Sequence, residues 1–335
     1  MDKTLPNKKI GRWLLTISIM IFLMIAFGGL VRLTRSGLSI VEWNVVTGVI
    51  PPLSDSGWHS EFTLYQQSPE YKKINFGMNI NDFKFIYHME FWHRFFGRLL
   101  GLSYLIPLIF FLYKGAIPNR KILHYIGIGL LFVLQGVVGW LMVKSGLEDR
   151  PSVSHIRLTL HLLGALALLG SCLWSAFAHL LPPRLPYGGR IRKLSGLLMI
   201  TLTLQIAAGG LVAGLKAGYI SNTFPLMFEQ LIPNGLLSLK PGIINLLDNP
   251  ATVHFQHRWF GFFILGISAV MYFRGKMEKS KLLRISTTAV FVICLIQISL
   301  GIFTVMSSVA ITLASLHQVV AIGFFGSSLL AYRCS

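Results

Sequence analysis

The chain has 335 residues, of which 53% are hydrophobic and 13% charged, and its mean hydropathy is +0.64. A soluble domain carries about 25% charged residues, so the composition excludes an ordinary soluble enzyme, a disordered regulator and a coiled coil. The 30 Lys and Arg against 12 Asp and Glu give a formal charge of +18, which has to be placed against a membrane before nucleic acid is invoked.

A helix needs about 20 apolar residues to cross a bilayer core, because open backbone groups find no water there. Eight stretches meet that need, at 13–33, 85–113, 122–143, 154–178, 194–214, 252–273, 285–306 and 309–331. The second opens with a polar turn and runs continuously apolar only after Arg98. The first follows Lys3, Lys8, Lys9 and Arg12 and lacks a small-residue cleavage site, so it reads as a retained signal anchor. Nothing before it resembles an Arg- and Ser-rich transit peptide, which favours a bacterial plasma membrane. With the N-terminus inside, the cytoplasmic segments hold 17 of the 30 basic residues and only two acids, Asp2 and Glu278. That bias places both termini in the cytoplasm, and the basic surplus becomes a topology signal that needs no nucleic-acid partner. Cys172, Cys294 and Cys334 lie in apolar stretches or at the C-terminal end, so neither a disulfide framework nor a thiolate metal site is expected.

The two halves repeat each other. Gly28-Gly29-Leu30-Val31 closes the first span and Gly209-Gly210-Leu211-Val212 the fifth. Each is followed by a long outer loop, 34–84 and 215–251, whose Pro, Asn and aromatic residues suggest an ordered lid. His93-Arg94-Phe95-Phe96-Gly97 in the second span matches His257-Arg258-Trp259-Phe260-Gly261 in the sixth. Gln135, Gly139 and Val143 match Gln297, Gly301 and Val305, and His161 matches His317. The expected architecture is therefore an all-α integral membrane protein of eight transmembrane helices. They form two tandem four-helix bundles related by pseudo-two-fold symmetry, with residues 1–180 as the N-terminal half and 181–335 as the C-terminal half.

All four repeated histidines lie on the outer side of their spans at similar depth. Two imidazoles at matched depth on facing helices can hold a haem iron from both sides. Gly97, Gly101, Gly164, Gly261 and Gly266 are candidates for the room a porphyrin needs. A single intramembrane histidine is often only a helix–helix hydrogen bonder; four, paired by a repeat, point to ligands. His124 and His179 read as interfacial, and His59, His88, His155 and His254 as solvated or supporting groups. The repeat breaks where Glu90 precedes His93 by three residues and His254 precedes His257. Glu90 is either a salt-bridge partner for Arg94 or Arg98, or a sign that only the first half is equipped for proton chemistry. Arg94, Arg98, Arg157 and Arg258 stand where haem propionates would reach the outer interface, with snorkelling to lipid headgroups as the competing reading.

Taken together, Gly28 to Ser39, Glu90-Phe91-Trp92-His93-Arg94, Arg157 to Leu162, Gln256-His257-Arg258 and Ala314 to Gln318 resemble the haem A synthase family, in its proteobacterial and mitochondrial branch. The resemblance runs in order over nearly the whole chain. It implies oxidation of the C8 methyl of haem O to the formyl group of haem A, by two hydroxylations and loss of water. It implies a resident haem b on His257 and His317, haem O received at His93 and His161, and Glu90 as the essential acid. Haem O synthase and cytochrome oxidase assembly factors are the implied partners, and association with further copies of the chain stays open. Two departures stand out: the loop 34–84 lacks the cysteine pair of some relatives, and His155, His254 and Gln256 stand where the family commonly has Gln, Gln and Asp. Two other classes remain: a di-haem b-type electron carrier, which needs no Glu90, and a haem transport or assembly protein. A di-iron carboxylate site is disfavoured, because Glu90 is the lone carboxylate available in the spans.

Overall fold

The structure is a computed structural model, and it describes residues 7–42, 48–148, 151–182 and 189–335. Asp2, Lys3 and Arg184, which enter the charge reading above, lie outside those residues. The described elements are α1 (Lys8–Leu33), the short α2 (Asp55–Gln66) and α3 (Pro69–Lys73), α4 (Ile80–Tyr113), α5 (Asn119–Leu147), α6 (His155–Leu180), α7 (Gly189–Gly214), the single turn α8 (Asn245–Asp248), α9 (Pro250–Gly275), α10 (Lys281–Met306) and α11 (Ile311–Cys334). The only β pairing among the described residues is an isolated bridge between Met227 and Gln230.

Seven of these helices, α1, α4, α5, α6, α7, α10 and α11, are long and apolar enough to cross a membrane. The chain is thus a multi-pass helical membrane protein by length and composition. The remaining expected span is helical over its whole length as α9, but His254, Gln256, His257 and Arg258 crowd its first three turns and dilute its apolar run. α5 leaves Leu123, Leu130 and Val133 between 64% and 81% exposed, as lipid-facing side chains should be. Helix starts follow local chemistry. Asn79 accepts from the amides of Asn81 and Asp82 to begin α4, and Asn249 caps α9 ahead of Pro250.

The chain divides into two compact units, one of residues 23–161 and one of residues 1–22 with 162–335. In the first, α4 packs on α5, and the long loop folds α2 onto α4 and α3 onto α5 and α2. An aromatic cluster holds that loop. Tyr65 stacks on Phe83 with ring centroids 5.1 Å apart, and Trp58 meets Tyr87 edge-on at 5.2 Å. Tyr65 and Phe83 are fully buried, so α4 extends beyond its apolar run because its first turns form the floor of this cluster. In the second unit, α7, α9, α10 and α11 pack in a closed ring of neighbours, a four-helix bundle. Its own long loop is pinned by Asn249, whose side-chain amide donates to Asn245 Oδ1 and to the carbonyls of Gly235 and Leu236.

α1 and α7 end alike. Arg35 (φ 53°) and Lys216 (φ 55°) each adopt the left-handed conformation two residues past the helix end. Behind α1, Ser36 N donates to Val31 O and Arg35 N to Arg32 O, the paired closing bonds of a Schellman turn. This turn reverses the chain and sets up the site.

Candidate functional site

In the unit 23–161, the turn after α1 brings the end of the Gly28–Ser39 segment onto the start of the Glu90–Arg94 segment. Glu90, 2% exposed, projects from α4 toward the turn. Its Oε2 accepts from Ser39 N (2.7 Å), Ser39 Oγ (2.7 Å) and Ile40 N (2.9 Å), and its Oε1 from Arg94 Nη2 (2.5 Å). Arg94 Nη2 also donates to Ile40 O at 3.3 Å. Four donors thus surround one carboxylate, and the ion pair with Arg94 is made one helical turn away. Of the two sequence readings of Glu90, the salt bridge is the one visible here. A buried carboxylate is tolerated when it is paired and hydrogen-bonded, as this one is.

His93 lies one turn past Glu90, and its ring rests on α1 at Gly28. A methyl group on Gly28 would come 2.9 Å from His93 Nε2. Phe27 flanks the same ring, with centroids 6.0 Å apart. His161, on α6, rests on α5 in the same way, where a methyl on Gly139 would lie 2.9 Å from His161 Cε1. Gln135 Nε2 donates to His161 O at 2.7 Å, fixing the backbone that carries this imidazole.

The other unit repeats the pattern. A methyl on Gly209 would lie 3.1 Å from His257 Cε1, and one on Gly301 would lie 3.0 Å from His317 Cε1. Gln205 Nε2 donates to His257 O at 2.9 Å, and the Gln297 amide lies 3.1 Å from His317 Nδ1. The His257 and His317 rings lie with centroids 6.4 Å apart and planes near perpendicular, at 83°. A metal bonded to two imidazoles at about 2 Å per bond separates their centroids by about 6 Å. Nδ1 of His257 and Nδ1 of His161 are buried without a hydrogen-bond partner in the chain. Among the described residues no three His, Cys, Asp or Glu converge on one point. A two-imidazole site suits a haem, because the porphyrin nitrogens fill the remaining positions on its iron. The residues present therefore fit a haem on observations of ring spacing, glycine backing and unpaired imidazole nitrogen.

The arginines keep the repeat as well. Arg94 donates to the carbonyl of Ile40, and Arg258 to that of Ser221 (2.9 Å); each acceptor stands twelve residues after the first glycine of its Gly-Gly-Leu-Val segment. Arg258 also donates to Thr223 O (2.8 Å) and, through Nε, to His254 Nε2 (3.0 Å). Where the first unit has a carboxylate under its arginine, the second has a neutral-capable imidazole, and His254 is buried to 1% exposure. Arg157 Nη1 donates to Leu141 O at 2.6 Å, tying α6 to α5. Arg98 is half-buried one turn beyond Arg94.

The remaining histidines fall where their surroundings explain them. His59 is exposed on α2, His88 Nδ1 meets Lys84 O at 2.6 Å, and His179 Nδ1 accepts from Asn7 N at 3.1 Å. His124 is exposed near the start of α5, and His155 opens α6. In the first long loop, outside the spans, burial together with the charge of Glu42 pushes the Glu61 carboxyl above its ordinary range. Sequence reasoning missed two groups. The glycines against the rings are Gly28, Gly139, Gly209 and Gly301, whereas a methyl group on Gly101 or Gly266 would meet nothing within 4 Å. The partners of Glu90 are Ser39 and Ile40, 51 and 50 residues away in the chain. The first group could have been found, since all four glycines stand inside the repeated motifs.

Comparison with known proteins agrees over the same extent. Residues 11–329 match the model of the COX15-CtaA family, described as cytochrome oxidase assembly protein. A protein named heme A synthase from Nitrosospira multiformis is 40% identical over 333 residues, covering 98% of this chain and 94% of its own length. One of the same name from Rickettsia felis is 43% identical over 329 residues, covering 96% and 95%. Another, from the Wolbachia of Brugia malayi, is 40% identical over 327 residues, covering 96% of each.

Proposed function

The chain belongs to the COX15-CtaA family of cytochrome oxidase assembly proteins, and from that membership we infer that it is a haem A synthase, an oxidoreductase that converts the C8 methyl of haem O into the formyl group of haem A. The carrying observation is the repeated set of histidines, each backed by a glycine, with a carboxylate under the arginine of one unit and an imidazole under that of the other. A di-haem electron carrier, the alternative, finds no support in the relatives and gives Glu90 nothing to do.

In this reading all eight long helices cross a bacterial plasma membrane, as two four-helix halves of residues 1–180 and 181–335 with both termini cytoplasmic and the histidines toward the outer face. The polar start of α9 supports its inclusion: Gln256 donates to Leu246 O and Arg258 to loop carbonyls, so these groups meet protein rather than lipid. His257 and His317 hold haem b, and His93 and His161 hold the iron of the substrate haem O. The resident haem, when bound, supplies one-electron redox chemistry. The chain orients the substrate and keeps charge in place. Glu90, held by Ser39, Ile40 and Arg94 one turn from His93, would stabilise positive character developing at the substrate methyl carbon. Arg94, Arg98, Arg157 and Arg258 each carry several N–H donors and serve the haem propionates alongside their contacts within the chain. Haem O synthase and oxidase assembly factors are the partners that would deliver haem O and take haem A.

The test is expression of the chain in membranes supplied with haem O, followed by extraction and mass analysis of the haems. A formyl-bearing haem that depends on the chain supports the reading. Haem bound but chemically unchanged would contradict it and favour a carrier.

A further inference from the structure

Every imidazole of the two pairs leans on a glycine of the neighbouring helix. The contact recurs four times: Gly28 with His93, Gly139 with His161, Gly209 with His257 and Gly301 with His317. The closest ring atom would stand only 2.9–3.1 Å from an added methyl group, tighter than ordinary van der Waals contact. A partly buried ring met at that distance has to turn or give way by a few tenths of an ångström, because the atom it meets would be carried by helix backbone, and packed helix contacts have little slack. Alanine is the better helix former, so helix propensity alone would favour it at these positions. Glycine at all four is explained by the ring and not by the helix.

We propose that Gly28, Gly139, Gly209 and Gly301 are positioning residues that fix the ring planes of His93, His161, His257 and His317. The inference rests on the haem reading above and goes beyond it, by assigning the orientation of each ligand to a particular glycine on another helix. For His257 and His317 the consequence is specific. Their planes stand at 83°, and near-perpendicular imidazoles on ferric iron give a strongly anisotropic low-spin resonance, whereas parallel ones give a rhombic one. Gly209 and Gly301 therefore set a spectroscopic property of the resident haem, and Gly28 and Gly139 set the placement of the substrate.

The experiment uses the full-length protein purified with its haem, and reads haem content, the ferric electron paramagnetic resonance spectrum and conversion of haem O. G209A and G301A should each lose the strongly anisotropic signal, by a shift toward the rhombic form or by loss of haem b. G28A and G139A should keep the haem b signal unchanged while conversion falls on the order of a hundredfold, the effect of a misplacement of about 1 Å. G136A and G323A, where an added methyl meets nothing within 4 Å, should match the parent in all three readings. Parent-like spectra and haem content in both G209A and G301A would overturn the assignment. H317A separates this failure from failure of the haem reading. Haem b retained in H317A sinks both, whereas haem b lost from H317A but unperturbed in G301A sinks the glycine assignment alone. If G209A and G301A do not accumulate, G28A and G139A carry the test, since their haem b signal reports that they have folded, and parent-like conversion in both overturns it.

Discussion

The two histidine pairs share a scaffold and differ in what lies one turn outside it. In both units a glycine backs each ring, an arginine follows the first histidine, and that arginine donates to the carbonyl twelve residues after the first glycine of the repeated segment. In one unit the group under the arginine is Glu90, gripped by two backbone amides and a hydroxyl; in the other it is His254. The shared parts are those that a bound porphyrin needs wherever it sits. The differing part is a buried negative charge, which is costly to keep and has a use where positive charge develops. In the proposed reading, a resident haem and a reacting haem are held on one template, and a single acid marks the reacting one.

Variants that break the pairs should have the largest effect. H257A or H317A should remove haem b from the purified protein, while H93A or H161A should leave it bound and abolish conversion, as read by pyridine haemochrome content and product mass. Haem b lost equally from all four would erase the distinction between the sites.

Next comes the charge under the arginine. R94A strands Glu90 as a buried anion and should lower stability by about 3–5 kcal/mol, seen as a drop in the thermal midpoint in detergent. Most of that loss should return in the double variant E90Q/R94A, because the stranded charge is gone. R258A should show no comparable rescue by H254Q, since no carboxylate is left behind there.

Smaller effects sharpen the picture. S39A removes one of the four donors to Glu90 and should cost about 1 kcal/mol, with both backbone amides still in place. Smallest of all is Glu61, whose carboxyl is raised by burial and by Glu42. A raised carboxyl favours the folded state below its unfolded value of 4.5 and penalises it as pH rises through the folded value. E61Q should therefore add a few tenths of a kcal/mol at neutral pH, since the site is partly exposed, and the gain should vanish at pH 4.

Much of this was legible in the sequence, for physical reasons. A bilayer forces apolar runs and helices to coincide, so seven of the expected spans are long apolar helices among the described residues, and the eighth, α9, is a helix whose apolar run is diluted by its His-Arg motif. The internal repeat marked out the four histidines, and each of them lies against a glycine of the same repeated motifs. The partners of Glu90 were not legible. Ser39 and Ile40 reach it only through the turn after α1, where Arg35 adopts φ 53° without a glycine to announce it. The glycine backing was written in the motifs but could not be told from helix packing until rings and backbones stood side by side. The inner order of the first long loop depended likewise on contacts such as Tyr65 on Phe83, which no local pattern announces.

The most direct test is E90A, purified from membranes supplied with haem O and examined for bound haem b and for formyl-bearing haem in the same preparation. The account predicts the parent's haem b content and no formyl haem. Formyl haem at the parent level, or disappearance of haem b with Glu90, would contradict it.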